Sequence, residues 1–164
     1  MTTREPVIVA HNAATEVSLR TITRANFRSL MRLSVGESQQ NFVADNRASV
    51  AEAYVEESFQ PFGIYHGDEP VGFTMYGYDD ESGRWWIIRL MLDERHQAKG
   101  YGRAAMLLLI DLMRSRHRMA EMYTSHVRDN EVAGRLYRQL GFTDTGQSGE
   151  GEVLLRLSLD VDGA

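Results

Sequence analysis

Residues 95–105 read RHQAKGYGRAA, which sets Arg95, His96, Lys99 and Arg103 around Gly100 and Gly102, just before the apolar run MLLLI at 106–110. The chain as a whole carries a net charge of −5, so this concentration of cations is local. A helix start presents unpaired N–H groups and about half a positive charge, and glycine lets main chain approach a ligand closely. The chemistry on offer is anion binding, and a pyrophosphate is the guest it suits. Gly102 is followed by Arg103-Ala104, which excludes a P-loop. A dinucleotide-binding turn needs its first glycine directly after a strand, but DERHQAK separates Leu92 from Gly100. It also needs an acid at the end of the next strand, whereas Glu121 opens that strand. Two readings remain: an outward-facing cradle formed by Gln97, Ala98, Lys99, Gly100, Tyr101, Gly102, Arg103 and Ala104, or a plain basic surface turn.

The elements that must position this segment follow from periodicity. TEVSLRTIT (15–23) alternates loosely and reads as a strand; from Arg24, Phe27, Leu30 and Met31 share one helical face. A second helix is predicted over 47–58, with Val50, Ala51, Tyr54 and Val55 opposite Glu52, Glu56 and Glu57. Runs at 61–66, 71–78 and 84–92, separated by GDEP and DDESG, predict an antiparallel meander. Residues 103–117 form a helix apolar nearly all round, and EMYTSHV (121–127) is the strand after it. Asp129 offers an N-cap to a helix striped by Val132, Ala133, Leu136, Tyr137 and Leu140, and Gly141 suits its C-terminal end. Strands near 142–146 and 152–159 close a mixed α/β order with one β–α–β crossover, so one strand pair is expected to be parallel.

Composition bounds the possibilities. The 164 residues, 43% hydrophobic and 25% charged, fit one domain of ordinary globular type. No apolar run approaches the roughly 20 residues of a membrane span, and MTTREPVIVAHN, with Glu5 and only a four-residue apolar stretch, does not read as a leader peptide. The absence of cysteine excludes disulfides, thiol nucleophiles and thiolate metal sites, and is compatible with a cytoplasmic location. No metal site is expected. The acidic balance argues against nucleic acid and favours a cationic partner.

The pattern Q-x-x-G-x-G (97–102), after a strand and opening an apolar helix, resembles the acetyl-CoA signature of the GNAT superfamily of N-acyltransferases. DNEVAGRLYRQLGF (129–142) resembles that superfamily's N-x-x-[AS]-x-x-[LF]-[YF]-x-x-x-G-F helix, with Asn130, Ala133, Leu136, Tyr137, Gly141 and Phe142 in register. A finer likeness, in RLMLDERHQAKGYGRAAM (89–106) and NFVADNRASVAEAYVEES (41–58), is to bacterial spermine/spermidine acetyltransferases.

The resemblance implies a GNAT fold: a mixed, mostly antiparallel sheet splayed between its fourth and fifth strands (84–92 and 121–127), with helices on both faces. It implies acetyl-CoA as cofactor, held by the 97–104 segment and by main-chain groups of Leu90, Met91 and Leu92. Tyr137 matches the position of a general acid, though the apolar stripe would equally make it core; Asn130 either bonds the cofactor or caps its helix. Related polyamine enzymes carry a carboxylate base where this chain has Ile88, so the base is open, with His126 or a water chain to a carboxylate as candidates. Glu52, Glu56 and Glu57, the turn residues Asp79, Asp80 and Glu81, and Trp85, with Trp86, Tyr76 and Tyr78, are candidates for the wall of a cationic acceptor site. The acceptor implied is a polyamine. An aminoglycoside-like antibiotic, a protein amine, or a non-catalytic coenzyme A sensor are the alternatives, and a homodimer is compatible with the likeness.

Overall fold

The structure, a computed structural model, describes residues 4–159. In chain order the elements are β1 (Ile8–Asn12), β2 (Val17–Thr21), α1 (Phe27–Met31), α2 (Asn46–Val55), β3 (Gln60–His66), β4 (Glu69–Asp79), β5 (Arg84–Leu92), α3 (Tyr101–Arg116), β6 (Glu121–Val127), α4 (Glu131–Gln139), β7 (Thr143–Gly149) and β8 (Glu152–Ser158). The strands make one sheet ordered β1-β2-β3-β4-β5-β6-β8-β7. All neighbours are antiparallel except β5 and β6, which the crossover through α3 forces to run parallel.

Several boundaries differ from the sequence-based expectations, each for a local reason. IVAHN forms a separate edge strand, β1, whose side chains are mostly exposed and so carry little periodic signal. Strands 84–92 and 121–127 are therefore fifth and sixth rather than fourth and fifth. α3 begins at Tyr101, within the glycine segment, because Gly100 takes φ +82 and acts as its N-cap. α4 is capped by Asn130 and not Asp129, since Asn130 Oδ1 accepts the Ala133 N–H at 3.3 Å. Val132 is 66% exposed and lies off the predicted stripe. α3 is less enclosed than expected, with Leu107 40% exposed.

The sheet separates two apolar cores. On one face α3 and α4 cover Ile87, Met106, Leu109, Met113, Met122, Tyr137, Phe142 and Leu155. On the other, Leu30, Met31 and Leu33 pack on Tyr65, Phe73, Met75 and Met91. Each such side chain removed from water contributes about 1.5–3 kcal/mol, which fixes the sheet between its helical layers.

β5 is irregular in two ways. Met75 opposes Arg89 and Tyr76 opposes Ile87, so Ile88 is an extra residue, a β-bulge that turns Ile88 and Arg89 toward the same face. β5 and β6 are paired only at Trp86 and Tyr123, reinforced by the Thr124 hydroxyl donating to Ile87 O at 3.1 Å. Beyond that tie the two strands diverge without a further ladder pair.

His117, just after α3, stacks on Trp85 with ring centroids 3.9 Å apart, and its Nε2 lies 3.0 Å from Tyr76 Oη. Burial, helped by Arg116, lowers its pKa below 6.5, so the folded chain binds this proton less readily than the unfolded chain. Stability must then rise with pH through the window below 6.5 and fall as His117 is forced to charge. Urea unfolding followed from about pH 7.5 down to about pH 5.5 is expected to show this loss, and His117→Gln is expected to remove that part of the slope.

Candidate active site

A cleft of ≈ 980 Å³ opens where β5 and β6 diverge and continues to the start of α3. Its floor is Ile87 to Leu92 of β5 and Thr124 to Val127 of β6, and α4 contributes Ala133, Leu136 and Tyr137. Gln97, Ala98, Gly100, Tyr101, Gly102 and Arg103 line its α3 end.

The main chain of this α3 end is unusual in what it leaves unbonded. The first helical bond of α3 is Ala104 N–H to Gly100 O at 3.1 Å. Among the described residues the N–H groups of Ala98, Lys99, Gly100, Tyr101, Gly102 and Arg103 donate to no protein acceptor, and no side chain caps the helix. Ala98 and Gly100 both take positive φ, 59° and 82°, a conformation that lets successive N–H groups converge on one point. These residues are exposed or half-buried, so water or a ligand in the cleft can be the partner of their amides. The arrangement fits a pyrophosphate, and it corrects the expected donor set at one position: Ala104, already bonded and 7% exposed, belongs to the core.

The turn is held in place by its neighbours. Gln97 Nε2 donates to Leu92 O at 3.0 Å and to Gln39 Oε1 at 2.8 Å, so its side chain braces the turn instead of offering itself to a ligand. Asp93 is 2% exposed and accepts from Ser34 N–H (3.1 Å), Arg95 N–H (3.1 Å) and Arg95 Nε (2.8 Å). Burial pushes its pKa up, but these donors outweigh it and hold the carboxyl below the ordinary value. At Gly102 an added Cβ would sit 3.3 Å from Leu92 Cδ2 and 3.7 Å from Leu136 Cδ2, both lining the cleft. Lys99 lies in the unbonded run but does not line the cleft.

Asp93 N–H donates to Val71 O at 2.9 Å. By the alternation of an antiparallel ladder Met91 also faces β4, and the main-chain groups of Leu90 and Leu92 turn toward the opening. Met91 packs its side chain in the second core, 5% exposed.

Tyr137 is 5% exposed and lines the cleft. Burial raises its phenol pKa to about 12, with the Thr124 hydroxyl pulling the other way. The proton is therefore present throughout the physiological range. Asn130 lines the cleft too, with its side chain used as the α4 cap.

The acceptor-side candidates are placed differently from one another. Trp85 is not at the cleft: it stacks on His117 against the first core, while the next residue on the strand, Trp86, takes the opposite face and lines the cleft. Tyr76 is buried with Trp85, and Tyr78 packs its ring 5.2 Å from the same indole. Glu52 pairs with Arg89 at 2.8 Å, and neither Glu52 nor Glu56 lines the cleft. His126 reaches the cleft wall, but strand alternation puts it on the Thr124 face beneath α4. A Cβ on Gly134 would come within 2.8 Å of its Nε2, and its Nδ1 lies 2.8 Å from Val127 O. Ile88 sits in the bulge and packs on the second core. Sequence reasoning missed Arg89, Ser125 and Glu152, which also line the cleft; alternation on β6 could have found Ser125, but Glu152 depends on a β7–β8 turn whose register the sequence leaves open.

The family model described as "Acetyltransferase (GNAT) family" matches residues 24–142. The spermine/spermidine N(1)-acetyltransferase of Bacillus subtilis (strain 168) is 28% identical over 137 residues, covering 80% of this chain and 90% of that protein. A crystal structure of RimL, a ribosomal L7/L12 alpha-N-protein acetyltransferase, superposes with TM-score 0.76 at 13% identity, covering 95% of this chain and 96% of that one. The PaiA N-acetyltransferase of Thermoplasma acidophilum, solved in complex with coenzyme A, gives TM-score 0.66 at 15% identity over 87% of this chain and 99% of its own. With a family model spanning most of its length and a splayed sheet that ends on an open run of amides, this chain belongs to the GNAT family and is an acetyl-CoA-dependent N-acetyltransferase.

Proposed function

We propose that the chain acetylates a primary amine of a small cationic acceptor, a polyamine of the spermine/spermidine type, and that the residues of the β5–β6 cleft carry the reaction. The observation behind this reading is the unbonded amide run from Ala98 to Arg103, placed at one end of the same cleft that Tyr137 lines at the strand divergence. The polyamine acceptor is supported by the Bacillus subtilis relative and by the acidic balance of the chain. The structural neighbours support the fold alone.

In this reading Ala98 to Arg103 hold the pyrophosphate through main-chain donors, with Arg103 adding charge at the cleft edge. The main chain of Leu90 and the N–H of Leu92, whose carbonyl Gln97 occupies, orient the carrier arm along the opening. Acetyl-CoA, when bound, supplies an acetyl group activated as a thioester. Fixed backbone donors facing the developing negative charge are worth about 3–4 kcal/mol of barrier lowering. Tyr137 keeps its proton at neutral pH and gives it to the departing sulfur. A thiolate buried at the same place is raised in basicity by the same loss of solvent, which narrows the gap between donor and acceptor. The amine, with pKa about 10.4, arrives protonated and loses one proton to bulk solvent before it attacks the thioester carbonyl; as the C–N bond forms and the C–S bond breaks, Tyr137 protonates the departing sulfur and is restored by the proton that the new amide nitrogen sheds.

Tyr137→Phe removes the donor and keeps the ring. It is expected to lower kcat about 10²-fold, within the range for a lost general acid, while coenzyme A affinity by calorimetry stays within about twofold. A non-catalytic sensor would show no turnover in the parent chain. Gly102→Val forces methyl groups against Leu92 and Leu136 in the cleft and is expected to weaken coenzyme A at least about tenfold; unchanged affinity would remove the phosphate-cradle assignment.

A further inference from the structure

A cationic acceptor needs a counter-charge, and the cleft restricts where one can be found. Glu52 is committed to Arg89. Asp79 lines the cleft but spends both oxygens on its own turn, Oδ1 accepting the Glu81 N–H (3.3 Å) and Oδ2 the Ser82 N–H (3.1 Å). Among the described residues the other carboxylate on the cleft wall is Glu152, the first residue of β8. It makes no ion pair among the described residues.

Glu152 occupies a junction. A second cavity of ≈ 440 Å³ runs along the β7–β8 hairpin past Gln147, Ser148 and Leu154, and it shares Trp86, Ser125 and Glu152 with the main cleft. Ser125 Oγ donates to Glu152 Oε2 at 3.3 Å, and among the described residues Oε1 has no partner. Trp86 is fixed on the opposite side of the divergence, its Nε1 donating to Ser82 Oγ at 3.1 Å and its ring 5.5 Å from that of Tyr123. Glu150 lines the outer cavity alone and does not reach the cleft. An alkylammonium passing from the outer groove to the strand divergence therefore meets the Trp86 indole on one side and a tethered carboxylate on the other. Both attract a cation.

We propose that Glu152, with Trp86, holds an ammonium group of the acceptor, so that the β7–β8 groove is the acceptor's path and selects amines carrying a second positive charge. This rests on the reading of the chain as an amine acetyltransferase. The reacting nitrogen lies in the cleft, and the charge held at Glu152 is a different nitrogen of the same molecule.

The test compares steady-state kinetics for a diamine and for a monoamine of equal chain length, in the parent chain and in Glu152→Gln. The variant is expected to raise KM for the diamine about five- to tenfold, the size of one partly exposed ion pair with a cation–π contact. The loss falls on KM and not on kcat, the monoamine is unaffected, and coenzyme A affinity by calorimetry is unchanged. Glu152→Asp is expected to recover part of the preference, and Trp86→Leu to reproduce the loss should Glu152→Gln fold poorly. An unchanged diamine KM, or an equal loss for both amines, overturns the assignment while leaving the acetyl-transfer reading standing. A parent chain that binds coenzyme A but acetylates neither amine overturns both.

Discussion

The constraint on which the rest depends is a debt of hydrogen bonds at the start of α3. A helix must leave its first N–H groups without intrahelical partners, and side-chain caps, water or ligands satisfy them. Here Gly100 caps without a side chain, and the unbonded run extends back through Lys99 to Ala98. Left-handed backbone at Ala98 and Gly100 keeps the turn from folding back on itself. Gln97 and Asp93 brace it from behind, against Leu92, Gln39 and Ser34, so the amides are held in position before any ligand arrives. Such preorganisation means that little ordering cost falls on binding.

The second feature is the way β5 serves two faces. Its ladder to β4 is nearly continuous, whereas its parallel partner β6 touches it at Trp86 and then leaves. A parallel pair buried on both sides ordinarily satisfies its main chain throughout. Divergence exposes those groups inside a cleft instead of at an edge. The bulge at Ile88 adds a residue at the point where the strands part, which brings Arg89 round to meet Glu52 of α2 and ties that helix to the strand. The two cores then divide the labour. The α3–α4 side holds Tyr137 and the amide run, and the α1–α2 side with the β7–β8 hairpin frames the other entrance.

Much of this was legible in the sequence where local chemistry and global packing agree. Strands 84–92 and 121–127 were bounded as observed because turn residues flank strongly apolar runs, and Gly141 announced the end of α4 with φ +98. The Q-x-x-G-x-G spacing predicted the turn without showing that its amides are free, which depends on the φ of Ala98, a residue with no sequence preference for that region. β1 escaped notice because an exposed edge strand needs no apolar alternation. Trp85 and Trp86 are adjacent and alike in composition; only the face of the strand separates a core stacking partner from a cleft wall. Glu52 looked free on a helical surface, but the bulge in a distant strand delivers Arg89 to it. Glu152 has no local signal at all, because its place depends on the pairing of β8 with β6.

The central claim is that the main-chain N–H groups from Ala98 to Arg103 grip a diphosphate. A crystal structure of the chain with coenzyme A tests it most directly. The expected result is pyrophosphate oxygens within about 3 Å of several of these nitrogens, with the carrier arm running between β5 and β6 toward Tyr137. A nucleotide bound elsewhere, or these amides found bonded to the protein's own acceptors, would contradict it.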